Sequence, residues 1–150
     1  MDYTVELVEL APQPCAVVRG HVALEAIPGF LGQAYGDVMG VLAGEQVSPA
    51  GPPFARYHVT GDGLDVEAGF PVTGPVSPTG RVTAGEQAGG LVATVMHRGD
   101  YGKVEEAYRA AEDWLAVNGY VPAGEPWESY LDGPEVAEPR TVVSLPCRKG

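Results

Sequence analysis

The chain has 150 residues, 45% of them apolar, and sets 20 Asp and Glu against 9 Lys and Arg, for a net charge of −11. That length fits one globular domain whose core needs no metal or disulfide staple. The acidic balance and the lack of a basic stripe argue against direct contact with nucleic acid, and no apolar run is long enough to span a membrane.

The opening stretch, MDYTVELVEL, carries acids where a signal peptide needs bases, so a cytoplasmic protein is expected. A strand is predicted from Thr4 to Leu10, and a second from Cys15 to Arg19. A helix follows, with Pro28 in its first turn and Ile27, Leu31, Ala34, Tyr35, Val38 and Leu42 as its apolar stripe; Gly44 is expected to close it. Gly32, Gly36 and Gly40 recur along one side of this helix and together weaken it by about 3 kcal/mol. One reading is close packing against another backbone; the other is a helix kept marginal so that it can shift for a bulky ligand. Strands are predicted over residues 53–59 and 65–72, then a loose Gly- and Pro-rich linker from Thr73 to Gly90.

The second half repeats the order. Leu91 to His97 reads as a strand, and Gly102 to Asn118 as a helix with Val104, Ala107, Tyr108, Ala111 and Leu115 on one face. Asp100 is placed to cap that helix, and Gly119 to take a left-handed position after it. Strands over residues 126–131 and 140–146 complete the unit. The segment from Ala34 to Tyr57 aligns without a gap on that from Ala107 to Tyr130, at an offset of 73. Ala34-Tyr35 meets Ala107-Tyr108, Pro49-Ala50-Gly51 meets Pro122-Ala123-Gly124, Phe54 falls on Trp127 and Tyr57 on Tyr130. The chain therefore reads as an internal duplication, with halves of about 1–75 and 76–150. The fold class expected is α+β: two β-α-β-β units forming one antiparallel sheet, both helices on one face, and a central ligand trough.

Chemistry-bearing residues are few. Cys15 and Cys147 sit in apolar stretches and read as buried thiols. With them, His21, His58 and His97 show no metal-ligand spacing, and nothing calls for a metal or cofactor. Alternation along Trp127-Glu128-Ser129-Tyr130-Leu131 puts Glu128 and Tyr130 on one face. The larger apolar residues, Trp127 and Leu131, are expected to face the helix, which turns Glu128 and Tyr130 toward the trough beside Tyr57. A carboxylate among tyrosine rings suits a lipophilic cation, through charge attraction and cation–π contact; the same set can also do acid or base work. The plainer alternative is a solvated acid on an open sheet. Tyr108 and Trp114, on the second helix, are of a kind more often found in a core or rim, and His97 is not expected to be a base.

The motifs His97-Arg98-Gly99-Asp100-Tyr101, Ala107-Tyr108, Trp114-Leu115, Asn118-Gly119-Tyr120 and Trp127-Glu128-Ser129-Tyr130-Leu131 resemble the GyrI-like small-molecule-binding domain family, the effector-binding module of many AraC- and MerR-type regulators. The likeness is strong over the last 60 residues or so and reaches the remainder through the repeat. It implies Glu128 as the main recognition acid and aromatic walls that include Tyr101, with Tyr108 counted among the ligand contacts. Asp100 departs from the family pattern, which often has proline there; the change bears on the helix start. No helix-turn-helix segment is visible, so a stand-alone domain is expected. Three readings follow: a sensor or sequestering protein for hydrophobic, cationic or planar compounds; a hydrolase of cyclopropane-type genotoxic compounds using Glu128; or a protein-interaction module of the DNA gyrase inhibitor type.

Overall fold

The computed structural model describes residues 3–133 and 135–150. Among these, nine strands and two helices run in the order β1 (Val5–Leu10), β2 (Gln13–Val22), α1 (Ile27–Glu45), β3 (Phe54–Thr60), β4 (Gly63–Pro71), β5 (Val82–Gln87), β6 (Gly90–Arg98), α2 (Glu105–Asn118), β7 (Tyr120–Pro122), β8 (Trp127–Tyr130) and β9 (Arg140–Lys149). The strands pair antiparallel and the class is α+β, as expected. The chain divides into two compact units, Pro12–Ala88 and Met1–Ala11 with Gly89–Gly150. No helix among the described residues is long and apolar enough to cross a membrane.

In the Pro12–Ala88 unit the strands lie in the order β3-β4-β2-β5, with α1 packed on β4, β2 and β5. Cys15 to Val18 are buried without a break, so both faces of β2 are covered there. Pro28 stands in the first turn of α1, and Ala34, Val38 and Leu42, four residues apart, are its buried stripe. Gly44 does not close the helix. It lies inside, and Gln46 takes the left-handed position with φ 56°. Nor do Gly32, Gly36 and Gly40 meet another backbone: a Cβ at any of them would find open space. Close approach occurs instead at Gly69, where a Cβ would strike the Ala16 carbonyl on the neighbouring strand. The linker expected to be loose contains β5, paired with β2 from Gln13↔Gln87 to Val18↔Val82, with Val82 and Val76 buried. Its Val-Thr-Ala-Gly-Glu-Gln run has too little apolar alternation to announce a strand; the ladder with β2 supplies what the pattern lacks.

The other unit has the order β1-β6-β9-β8, with β7 also on β9. Its core joins Ala107, Ala111 and Leu115 of α2 to Ala93, Val95, Val143, Leu145 and Cys147. These helix residues fall at i, i+4 and i+8, the spacing that keeps one stripe on the sheet. Asp100 caps a single 3-10 turn, Tyr101–Lys103, ahead of α2, and Gly119 follows it at φ 81°. Both units thus share one strand order, with an added outer strand beside the first strand of the β-α-β-β run. That outer strand is exchanged. β1 precedes β2 in the chain but pairs with β6, whereas β5 precedes β6 but pairs with β2. The units in space are therefore cut differently from the sequence halves 1–75 and 76–150.

Candidate functional site

Strand β8 is short and pairs with β9: Trp127 lies opposite Ser144, Glu128 opposite Val143, and Tyr130 opposite Thr141. Directly opposed residues of an antiparallel pair share a face. Val143 in turn opposes Val95, and both belong to the core beneath α2. Glu128 and Tyr130 therefore lie on the helix-covered side of this unit, and Trp127 on the other. This reverses the expected orientation. Size ranked Trp127 above Glu128 for the helix side, but hydrogen bonding lets the carboxylate take that place. Glu128 is 9% exposed, and each of its oxygens has its own phenol donor. The Tyr108 hydroxyl, on α2, donates to Oε2 at 2.7 Å, and the Tyr130 hydroxyl donates to Oε1 at 2.9 Å. A buried carboxylate is tolerated only when so satisfied.

Comparison of the two units isolates what is special here. Tyr35 occupies on α1 the place that Tyr108 occupies on α2, and Ala55 stands where Glu128 stands. The Tyr35 hydroxyl donates to the Phe54 carbonyl at 3.0 Å. The helix tyrosine is thus common to both units, and the acid belongs to one.

Tyr101 closes one flank. Its ring meets Tyr130 edge-on, with centroids 6.0 Å apart and planes at 89°, and its hydroxyl donates to the Asp132 carbonyl at 3.1 Å. Burial, with Glu135 and Asp132 adding charge, raises the Tyr101 pKa above its ordinary value. Asp132 itself is held by Arg140, which donates through its backbone N–H at 3.0 Å, Nε at 2.8 Å and a terminal nitrogen at 3.1 Å. Those hydrogen bonds keep the Asp132 carboxyl below the usual range. The pair fastens the turn from β8 to β9, a role not read from the sequence; the only signal was an acid just past the strand, facing an arginine at the start of the next.

His97 is 2% exposed and fully engaged. Its Nε2 lies 2.8 Å from the Asp100 carbonyl and its Nδ1 lies 2.9 Å from the Tyr3 hydroxyl. The tautomer with hydrogen on Nε2 satisfies both, the tyrosine donating to Nδ1. This histidine pins the segment ahead of α2. Gly99, at φ 104°, makes the bend that brings Asp100 under the ring. Tyr57 stands half-buried on β3 of the Pro12–Ala88 unit, opposite Val66. Within the unit of Met1–Ala11 and Gly89–Gly150 the structure brings together Glu128, Tyr108, Tyr130 and Tyr101.

Cys15 and Cys147 are free thiols in the core; burial pushes Cys15 up to about 11 and also raises Cys147. Among the described residues no group of three His, Cys, Asp or Glu side chains is placed to hold a metal. An open cavity of about 470 Å³ lies elsewhere, between Glu112 and Ala116 of α2 and Tyr120 to Pro122 of β7. None of the candidate residues lines it, so the Glu128 site rests on hydrogen-bond geometry and not on cavity volume.

The family model of the GyrI-like small molecule binding domain matches residues 3–147. No curated protein sequence matches the chain. Among solved structures it is similar to the EcmrR C-terminal domain, at 26% identity and a TM-score of 0.79 over 100% of both chains. It is also similar to EcmrR in a DNA complex, at 22% identity and a TM-score of 0.81, where it spans 99% of its own length and 58% of that chain. SAV2435 bound to tetraphenylphosphonium aligns at 15% identity and a TM-score of 0.65, over 99% of this chain and 94% of that one. A hydrolase from Listeria innocua aligns at 12% identity and a TM-score of 0.74, over 96% and 91%.

Proposed function

The chain belongs to the GyrI-like small molecule binding domain family, and on that footing we propose that it binds hydrophobic cations, with Glu128 as the charged anchor and Tyr108, Tyr130 and Tyr101 as the aromatic wall. The observation that carries this reading is the pair of phenol bonds to Glu128. Two neutral donors hold the carboxylate in place and bring no counter-charge of their own, and aromatic rings beside an acid suit a cation. The acidic surface, net −11, favours the approach of such a ligand. That a structural relative, SAV2435, is described bound to tetraphenylphosphonium supports the same ligand class. The chain then acts as a sensor or sequestering protein in the cytoplasm, alone or beside a separate partner protein.

The test is calorimetric titration with tetraphenylphosphonium. Glu128→Gln keeps the size and removes the charge; its amide oxygen accepts from one phenol, and its amide nitrogen donates to the oxygen of the other. A loss of at least tenfold in affinity, about 1.4 kcal/mol, is expected; unchanged binding would reject the anchor. Tyr108→Phe, which frees one carboxylate oxygen, is expected to change affinity by less.

A hydrolase is the second reading, favoured by the carboxylate–tyrosine arrangement and by the fold shared with the Listeria innocua hydrolase. It predicts a chemically altered electrophile in the presence of the protein, with turnover abolished in Glu128→Gln while binding is partly kept. A module that contacts a protein, as in gyrase inhibition, would be indifferent to both changes.

A further inference from the structure

Thr141 is 0% exposed, and its Oγ1 has no hydrogen-bond partner. An unsatisfied buried hydroxyl costs free energy and calls for a reason. Its place in the sheet provides one. Thr141 on β9 lies between His97 on β6 and Tyr130 on β8, in one row across three strands. The adjacent row on the same face is Val95, Val143 and Glu128. Thr141 and Glu128 are therefore diagonal neighbours on adjacent strands, with backbones about 7 Å apart. Both ring nitrogens of His97 are already engaged, by Tyr3 and Asp100, so that neighbour has no nitrogen for the threonine.

We infer that Thr141 is the second polar anchor of the Glu128 site, and that the preferred ligand is a protonated amine bearing N–H groups on a hydrophobic body, not a quaternary cation. The inference rests on the reading of Glu128 given above. The Glu128 oxygens each accept one phenol hydrogen and one lone pair on each remains for a cation. An ammonium head carries up to three donors. One goes to Glu128, and the Thr141 hydroxyl oxygen accepts a second across the strand gap. A quaternary cation has the charge but no donor, and it leaves Thr141 as it is.

Two probes with one body separate the claims: 1-naphthylmethylammonium and its N,N,N-trimethyl derivative, titrated against the full chain, Thr141→Val, Thr141→Ser and Glu128→Gln. Valine matches threonine in shape and lacks the hydroxyl, so Thr141→Val is expected to melt no lower than the parent. The expected result is about a tenfold loss of ammonium affinity in Thr141→Val, less than a twofold change for the trimethyl probe, and recovery of ammonium binding in Thr141→Ser. Equal losses for both probes, or none for either, overturn the role of Thr141 while Glu128→Gln still abolishes binding. If Glu128→Gln leaves both affinities intact, or the full chain binds neither probe, the Glu128 reading fails and the inference fails with it.

Discussion

His21 shows how far a single side chain is governed by what the fold sets beside it. Its Nδ1 lies 2.8 Å from an Asp65 oxygen and its Nε2 lies 3.1 Å from an Asp62 oxygen. Two carboxylates satisfy both nitrogens only if both are donors, which is the imidazolium form. The hydrogen bond to Asp65 is the main cause raising its pKa above 6.5; partial burial opposes, and the charges of Asp62 and Asp65 add. Because the value is raised in the folded state, the linked stabilisation is present below pH 6.5 and is lost as pH rises through the folded value. NMR titration of the His21 ring should give a midpoint above 6.5, and Asp65→Asn should lower it more than Asp62→Asn. A midpoint at or below 6.5 would contradict the bridge. Nothing in the sequence marked His21, since Asp65 is 44 residues away. Glu128 and Tyr130, two apart on one strand, were legible as a pair. Their direction was not, because it depends on which strand face α2 covers.

At the scale of elements, the two helices were readable from their stripes: each buries the centre of its stripe, Ala34, Val38 and Leu42 in α1 and Ala107, Ala111 and Leu115 in α2, and leaves the rest half-buried. Strands β5 and β7 were not. β5 is weakly apolar and β7 has only three residues, and each is held by its neighbour's ladder, so local pattern carries too little of the information. The glycines of α1 separate a stripe's two meanings. With open space at Gly32, Gly36 and Gly40, no packing contact is lost on adding a methyl group. Replacing each by alanine should stabilise the protein by about 1 kcal/mol, read from the denaturant midpoint at constant m-value. A destabilised variant would show that these positions are covered. The same argument expects amides 30–42 to exchange faster than amides 104–116, the behaviour of a helix that shifts more easily.

For the whole molecule, the exchanged outer strands matter most. β1 lends its ladder to β6, from Val5↔Val95 to Leu10↔Gly90. Val5 and Leu7 pack on the α2 core, and Tyr3 bonds and stacks with His97. Removing residues 1–11 should therefore weaken the unit that holds Glu128 by about 3 kcal/mol from lost apolar burial alone. A thermal melt would show it, and a peptide of residues 3–11 added in trans should restore part of the loss. A truncated chain that melts like the full one would mean that β1 contributes little to this core.

Read alone, the sequence determined the α+β class, both helices, the repeated order of strand, helix and paired strands, the family, and the residues around which a site could form. These follow from periodicity and from motif spacing, which are properties of neighbours along the chain. The tertiary structure decided which strands exchange partners, which face Glu128 takes, that Tyr108 of α2 joins Tyr130 as a donor to it, and that Thr141 is left unsatisfied beside it. Each of these depends on register between strands and on a helix laid across them, so the contacting atoms are brought together only when the whole sheet is assembled.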